Sequence, residues 1–303
     1  MKPWWAVGLA VSAFGDQAMA YSPPSAITPQ ALGAATFSEN FASFDAGEDQ
    51  PPGKVPHRWR TVLGYGGSTS PDNRSGSRGT TYVDPGFPGV VDGQLGAKPL
   101  GLDPFHLTAG RYLAITAQPA PPAAKPALWN RPYTSGVITT RFSFAQRYGY
   151  YEVSAQLPDG RGLWPAFWLL PADPASSPAG TELDVFEHLG RAPRATFCTL
   201  HYQGRTWFWA PKAVVWEHKV VLPFEPSRGF HLYGAAWSPE QIVWYVDRHE
   251  VCRQPTPPGM DQKMYMLLNL AVGGSWAGPP DATTRFPASF YVKSVNVWRL
   301  KGL

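Results

Sequence analysis

Glycine and proline recur so often in this chain that a long helix has nowhere to run. Of 303 residues, 30 are glycine and 33 are proline. Proline removes a backbone donor and glycine loosens the chain, so both favour short strands joined by turns. Alternating apolar runs bear this out at 110–118, 137–142, 148–157, 163–170, 182–187, 195–202, 219–222, 231–237, 242–247, 264–271 and 289–300, with a first strand entry at 37–45. A tight hairpin is expected around Arg248-His249. Many short strands with no long repeat predict an all-β fold, a jelly-roll sandwich of two antiparallel sheets. Residues 54–104, dense in Gly, Ser, Asp and Pro, predict long loops over one side. No linker divides the chain, so residues 37–303 read as one domain behind a polar, extended segment at 21–36.

Residues 1–20 have the form of a secretory signal: Lys2, an apolar run from Trp4 to Phe14, then Ala18-Met19-Ala20 before Tyr21. The run is too short to span a bilayer, which argues against a membrane anchor. A secreted or periplasmic protein, monomeric and with no membrane partner, is the expectation. The net charge of +4 is mild and its basic residues are scattered, so nucleic acid is not an expected partner. Cys198 and Cys252 are the only cysteines. In an exported chain they invite one disulfide, with two buried free thiols as the alternative. Cys198 and His201 are three apart on one strand and should face opposite ways, and no spacing typical of a zinc site occurs.

The densest chemistry lies in Glu182-Leu183-Asp184-Val185-Phe186-Glu187. Strand alternation puts Glu182 and Asp184 on one face, whereas Glu187 falls on the other. A β-bulge at Val185-Phe186 would absorb one residue and return Glu187 to the carboxylate face. Three like charges on one face repel, which raises at least one carboxyl pKa and separates the protonation states. A protonated and an ionised carboxylate side by side are what glycoside hydrolysis requires. The bland alternative is a solvated acidic edge strand. Against it stands the preceding run, which places Trp164, Ala166 and Trp168 on one face and Leu163, Phe167 and Leu169 on the other. With 13 tryptophans in the chain, some rings are expected in a cleft, where they can stack on sugar rings.

Several further motifs stand in order along the chain: Tyr133-Thr134-Ser135-Gly136, Tyr148-Gly149-Tyr150-Tyr151-Glu152, residues 163–171, the acidic strip, residues 230–247, and Asn269-Leu270-Ala271-Val272-Gly273-Gly274-Ser275-Trp276. Together they resemble glycoside hydrolase family 16, the bacterial laminarinase, lichenase and exopolysaccharide-glycanase group. The resemblance implies a jelly roll whose concave sheet carries the substrate cleft, and retaining double displacement on β-linked glycans. Residues 37–303 would then form a single catalytic domain. Carried over by position, Glu182 is the nucleophile, Asp184 positions it and tunes its charge, and Glu187 is the general acid/base. Trp164, Trp168 and Trp276 correspond to sugar-stacking platforms, and His201 and Asn269 to polar groups lining the cleft.

Two departures bear on this resemblance. Val137 stands where many laminarinases carry Arg, which removes a strong donor to substrate hydroxyls and brings the chain nearer the exopolysaccharide-processing members. Lys293 stands where the family's final strand often carries a calcium-binding Asp, and a cation cannot ligate calcium. No cofactor or metal is therefore expected. The resulting expectation is a secreted endo-β-glycanase cutting β-1,3 or mixed β-1,3/1,4 glucan linkages. A galactan-cleaving agarase- or carrageenase-like hydrolase, a transglycosylase and a non-catalytic jelly-roll lectin are the alternatives.

Overall fold

The computed structural model describes residues 26–48, 56–63, 68–75, 77, 79–109, 112–173, 180–205 and 211–302. The expected signal at 1–20 lies outside the described residues. Among the described residues, twenty strands form in chain order. They begin with β1 (Leu32–Glu39), β2 (Ala46–Gly47), β3 (Trp59–Arg60), β4 (Thr80–Tyr82), β5 (Val90–Val91), β6 (Gln94–Leu95), β7 (Phe105–Thr108) and β8 (Tyr112–Pro119). Next come β9 (Tyr133–Ser135), β10 (Val137–Thr139), β11 (Gly149–Gln156), β12 (Leu163–Pro171), β13 (Glu182–Glu187) and β14 (Ala195–Arg205). The last are β15 (Pro211–Val221), β16 (His231–Trp237), β17 (Gln241–Val246), β18 (His249–Pro255), β19 (Met264–Val272) and β20 (Ala288–Leu300).

Two large sheets result. One runs β18-β17-β16-β11-β20-β8-β9-β4, with β1 added on β20 and β7 on β8, and the other runs β15-β14-β13-β12-β19-β10-β3-β2. Between them lies a single large apolar core, to which Leu163, Phe167, Leu169 and Leu183 of the second sheet and Val153, Tyr233, Trp244 and Val297 of the first contribute. The β-sandwich expected from the turn density is the fold that forms. Gly136 sits where the chain passes from β9 in one sheet to β10 in the other; a Cβ there would lie 2.6 Å from the Phe105 ring. Cys198 on β14 and Cys252 on β18 are bonded, so the disulfide links the two sheets.

Several boundaries differ from the sequence expectation. The segment expected to stay extended over 21–36 gives way at Leu32 to β1, which pairs with β20 and packs Leu32 against Tyr150 and Tyr245. Strand β10 stops at Thr139 rather than 142, because Thr140 turns the chain and its carbonyl accepts from Ser143 and Phe144 N–H. Strand β15 starts at Pro211, well before 219, and pairs along the whole of β14. The hairpin turn is centred on Asp247-Arg248, one residue earlier than expected, with both residues at positive φ (48° and 64°).

Candidate active site

The acidic strip occupies β13, and the bulge is there. Phe167 pairs with Phe186 and Trp168 with Asp184, so Val185 has no opposite number on β12. Across the other edge, Asp184 pairs with Thr199 and Glu187 with Phe197, with the same irregularity between them. One extra residue lets Val185 and Phe186 both turn into the core beside Leu183. It also brings Glu187 opposite Ala166 and Asp184 opposite Trp168, and Ala166 and Trp168 share a face. Glu182, Asp184 and Glu187 therefore all project from the outward face of the eight-stranded sheet. The bulge interrupts the ladder, and Trp244 of the opposite sheet donates its indole N–H to the Asp184 carbonyl at 2.7 Å.

Neighbouring strands supply the surroundings. Trp164 and Trp168 stand on β12, His201 on β14 opposite Glu182, and Asn269 on β19 opposite Ala166, with Trp276 in the loop after β19. The structure thus gathers on one surface every site residue read from the sequence. The three tryptophans are half-buried, each presenting part of a ring to solvent. Trp164 meets Trp276 edge to face at 5.1 Å, and Trp276 packs on Phe197 at 4.8 Å. Trp168 donates its indole N–H to Asn269 Oδ1 at 2.8 Å. Val137, opposite Asn269, is buried with Leu63, Tyr82 and Leu267 beside Trp168.

The carboxylates are unequal. Glu187 is 6% exposed and accepts from Trp164 Nε1 at 3.0 Å and Thr199 Oγ1 at 2.7 Å. Burial pushes its pKa up to about 8; the Thr199 hydrogen bond opposes this, the Glu182 charge adds to it, and the Trp164 hydrogen bond opposes it again. Asp184, 2% exposed, is held well above the ordinary carboxylate range by burial, then by the charges of Glu187 and Glu182. Glu182 is half-buried, with His201 Nε2 3.9 Å from its Oε1. Among the described residues no Lys or Arg forms an ion pair with any of the three.

Three functional neighbours escaped the sequence reading: Thr199, Trp244 and Glu217. Glu217, on β15 opposite Thr199, adds a fourth carboxylate to this face. Its own pKa is raised by burial against the lowering pull of His201 and Arg191. None has a local signature, because each is brought in by pairing or packing from another strand. Lys293, which stands where the resemblance puts a calcium-binding Asp, lies on β20 with its ammonium 5.9 Å from the Phe230 ring centroid.

Fold and site together define a class, a jelly-roll sandwich with a carboxylate strip and an aromatic strip side by side on one outward face. The model of glycosyl hydrolases family 16 matches residues 107–287. The chain belongs to that family. It is 45% identical over 200 residues, 65% of this chain, to the endo-1,3-1,4-beta-glycanase EglC of Rhizobium meliloti, and 43% identical over 59% of this chain to ExsH of the same organism, another endo-1,3-1,4-beta-glycanase. The matched stretches span 40% and 36% of those two relatives' length. Among solved structures, the laminarinase from Rhodothermus marinus is similar, at 26% identity and a TM-score of 0.63 over 88% of this chain and 97% of that one.

Proposed function

We propose that the chain is a secreted, retaining endo-β-glycanase that cuts β-1,3 or mixed β-1,3/1,4 glucan linkages. The observation that carries this reading is the bulge in β13, which sets a buried carboxyl of raised pKa, Glu187, on the same face as the half-buried Glu182. With a pKa near 8, Glu187 is protonated at neutral pH and can protonate the leaving glycosidic oxygen. Glu182 attacks the anomeric carbon and forms a covalent glycosyl-enzyme. Glu187, now ionised, takes a proton from water as that water displaces Glu182, which restores both groups. Asp184, its pKa raised by burial, stands two residues along on the same face as Glu182 and tunes that group's charge.

Trp164, Trp168 and Trp276 offer ring surface for sugars, and Asn269 and His201 offer polar contacts at either side of the carboxylates. The two Rhizobium meliloti relatives support the linkage class. Val137, buried where many laminarinases carry Arg, supports a natural polymer other than plain laminarin, such as a bacterial exopolysaccharide. The test is Glu182→Gln assayed for reducing-end release on laminarin, lichenan, curdlan, agarose and carrageenan. The parent enzyme should cut a β-glucan and the variant should not. A variant that keeps near-parental turnover would sink the assignment, cleavage of agarose or carrageenan alone would replace glucan by galactan, and binding without cleavage would favour a lectin.

A further inference from the structure

Glu182, Asp184 and His201 present donor atoms that all lie within 4.8 Å of one another. His201 Nε2 is 3.9 Å from Glu182 Oε1 and 3.8 Å from Asp184 Oδ2, beyond hydrogen-bond reach in both cases. Asp184 Oδ2 is fully buried and has no hydrogen-bond partner. A carboxyl oxygen in that condition is costly unless a proton or a cation fills the gap in front of it. The gap has a particular size. Tetrahedral zinc with bonds of about 2.0–2.2 Å holds its ligand atoms roughly 3.4 Å apart, so a contraction of about half an ångström closes the site. One imidazole and two carboxylates form a mixed nitrogen and oxygen donor set, which suits zinc far better than calcium or magnesium.

We propose that Glu182, Asp184 and His201 form a binding site for zinc, and that zinc held there is a reversible inhibitor of the enzyme. The register makes the site: Glu182 and Asp184 alternate on β13, and His201 stands directly opposite Glu182 on β14. Asp184 is fixed by burial and releases its proton to solvent as zinc binds, whereas Glu182 and His201 have side chains 29% and 36% exposed and can close the remaining distance by small rotations. The site is open on its solvent side, which leaves a coordination position for water. Zinc in this position engages Glu182, the group proposed as nucleophile, and occupies the space a sugar must enter. Inhibition, though not binding, therefore rests on the glycanase reading above.

The experiment titrates zinc chloride into chelator-treated enzyme by calorimetry and follows glucan hydrolysis in parallel. The expected result is one zinc ion bound per chain, with inhibition that raises KM, leaves kcat unchanged and is reversed by EDTA. His201→Ala should weaken zinc affinity by about 10- to 100-fold, the scale of loss that even an outer partner of a metal ligand produces. Each variant's inhibition is referred to its own zinc-free activity. His57→Ala removes another part-exposed imidazole that faces a carboxylate, Asp45, and should bind zinc as the parent does. His201→Gln, of similar size and lacking the ring nitrogens, repeats the test if the alanine variant fails to fold. Equal zinc affinity in the parent and the His201 variants, or a loss caused by His57→Ala instead, overturns the proposal. Calorimetry needs no turnover, so an enzyme inactive on every glucan but still binding zinc through His201 would reject the glycanase reading and keep the site.

Discussion

Two buried carboxylate sites, one on each sheet, lead opposite lives. Glu152 of β11 is 2% exposed, but Arg248 binds it through two hydrogen bonds at 2.8 and 3.0 Å, and Tyr150 donates a third at 2.9 Å. Asp184 and Glu187 of β13 are buried to a similar degree, and only neutral donors reach Glu187. A buried carboxylate with a cation hydrogen-bonded beside it serves as scaffold. In this case it anchors the Asp247-Arg248 turn to the body of its sheet. Buried acids without a cation hold their protons to high pH, and a carboxyl that is neutral at pH 7 can act as an acid. The contrast separates structural from reactive carboxylates, and each side of it can be tested.

The largest effect is expected from removing the reactive proton. Glu187→Gln should lower kcat by roughly 10²- to 10⁴-fold without loss of fold, as read by steady-state rates and thermal unfolding. Arg248→Met should do the reverse. It strands Glu152, and the expected cost is about 2 kcal/mol, at the lower side for a broken buried pair because the guanidinium is one-third exposed. Denaturant midpoints should fall while kcat stays near the parental value. If Arg248→Met instead abolished activity at full stability, the division between the two sheets would fail.

The pH dependence of stability follows from the raised pKa of Glu187. Its folded value of about 8 lies above the ordinary 4.5, so the folded state holds this proton more tightly than the unfolded chain does. The stabilisation is fully present below about 4.5 and is lost as pH rises through about 8. Glu187→Gln should flatten that decline, and unfolding midpoints measured from pH 4 to 9 would show whether it does. The smallest effect concerns the hydrogen bonds to Glu187. Thr199→Val and Trp164→Phe each remove a donor that favours the ionised form, so the alkaline limb of kcat should move to higher pH, by less than about one unit apiece. A shift to lower pH would mean that these donors do not stabilise the carboxylate.

Much of this was legible in the chain. The alternation Trp164-x-Ala166-x-Trp168 and the misfit of Glu187 in the alternation of Glu182 and Asp184 predicted both the shared face and the bulge, because strand period is a local property of a few adjacent residues. The limits of β10 and β15 were less legible. The run at 137–142 keeps its apolar pattern through Phe142, yet hydrogen bonds to Thr140 turn the chain, and they leave Phe142 at positive φ and exposed. In β15, residues 211–218 mix Pro, Lys, Glu and His with a short Val214-Val215-Trp216 run, yet β14 pairs along their whole length.

By itself the sequence determined the sandwich class, the carboxylate face and the aromatic strip beside it, since each depends on period, turn density and the chemistry of adjacent residues. Tertiary structure alone decided what those carboxylates become. Thr199 and Trp164 reach Glu187 from two different strands, Trp244 caps the bulge from the other sheet, and His201 meets Glu182 and Asp184 across a register no local pattern announces. The pairing of Cys198 with Cys252, open in the sequence, likewise waited on the packing of one sheet against the other. The physical reason is common to all of these: a pKa, a cap or a ligand set depends on burial and on groups distant in sequence, and those are fixed only when the sheets close on a shared core.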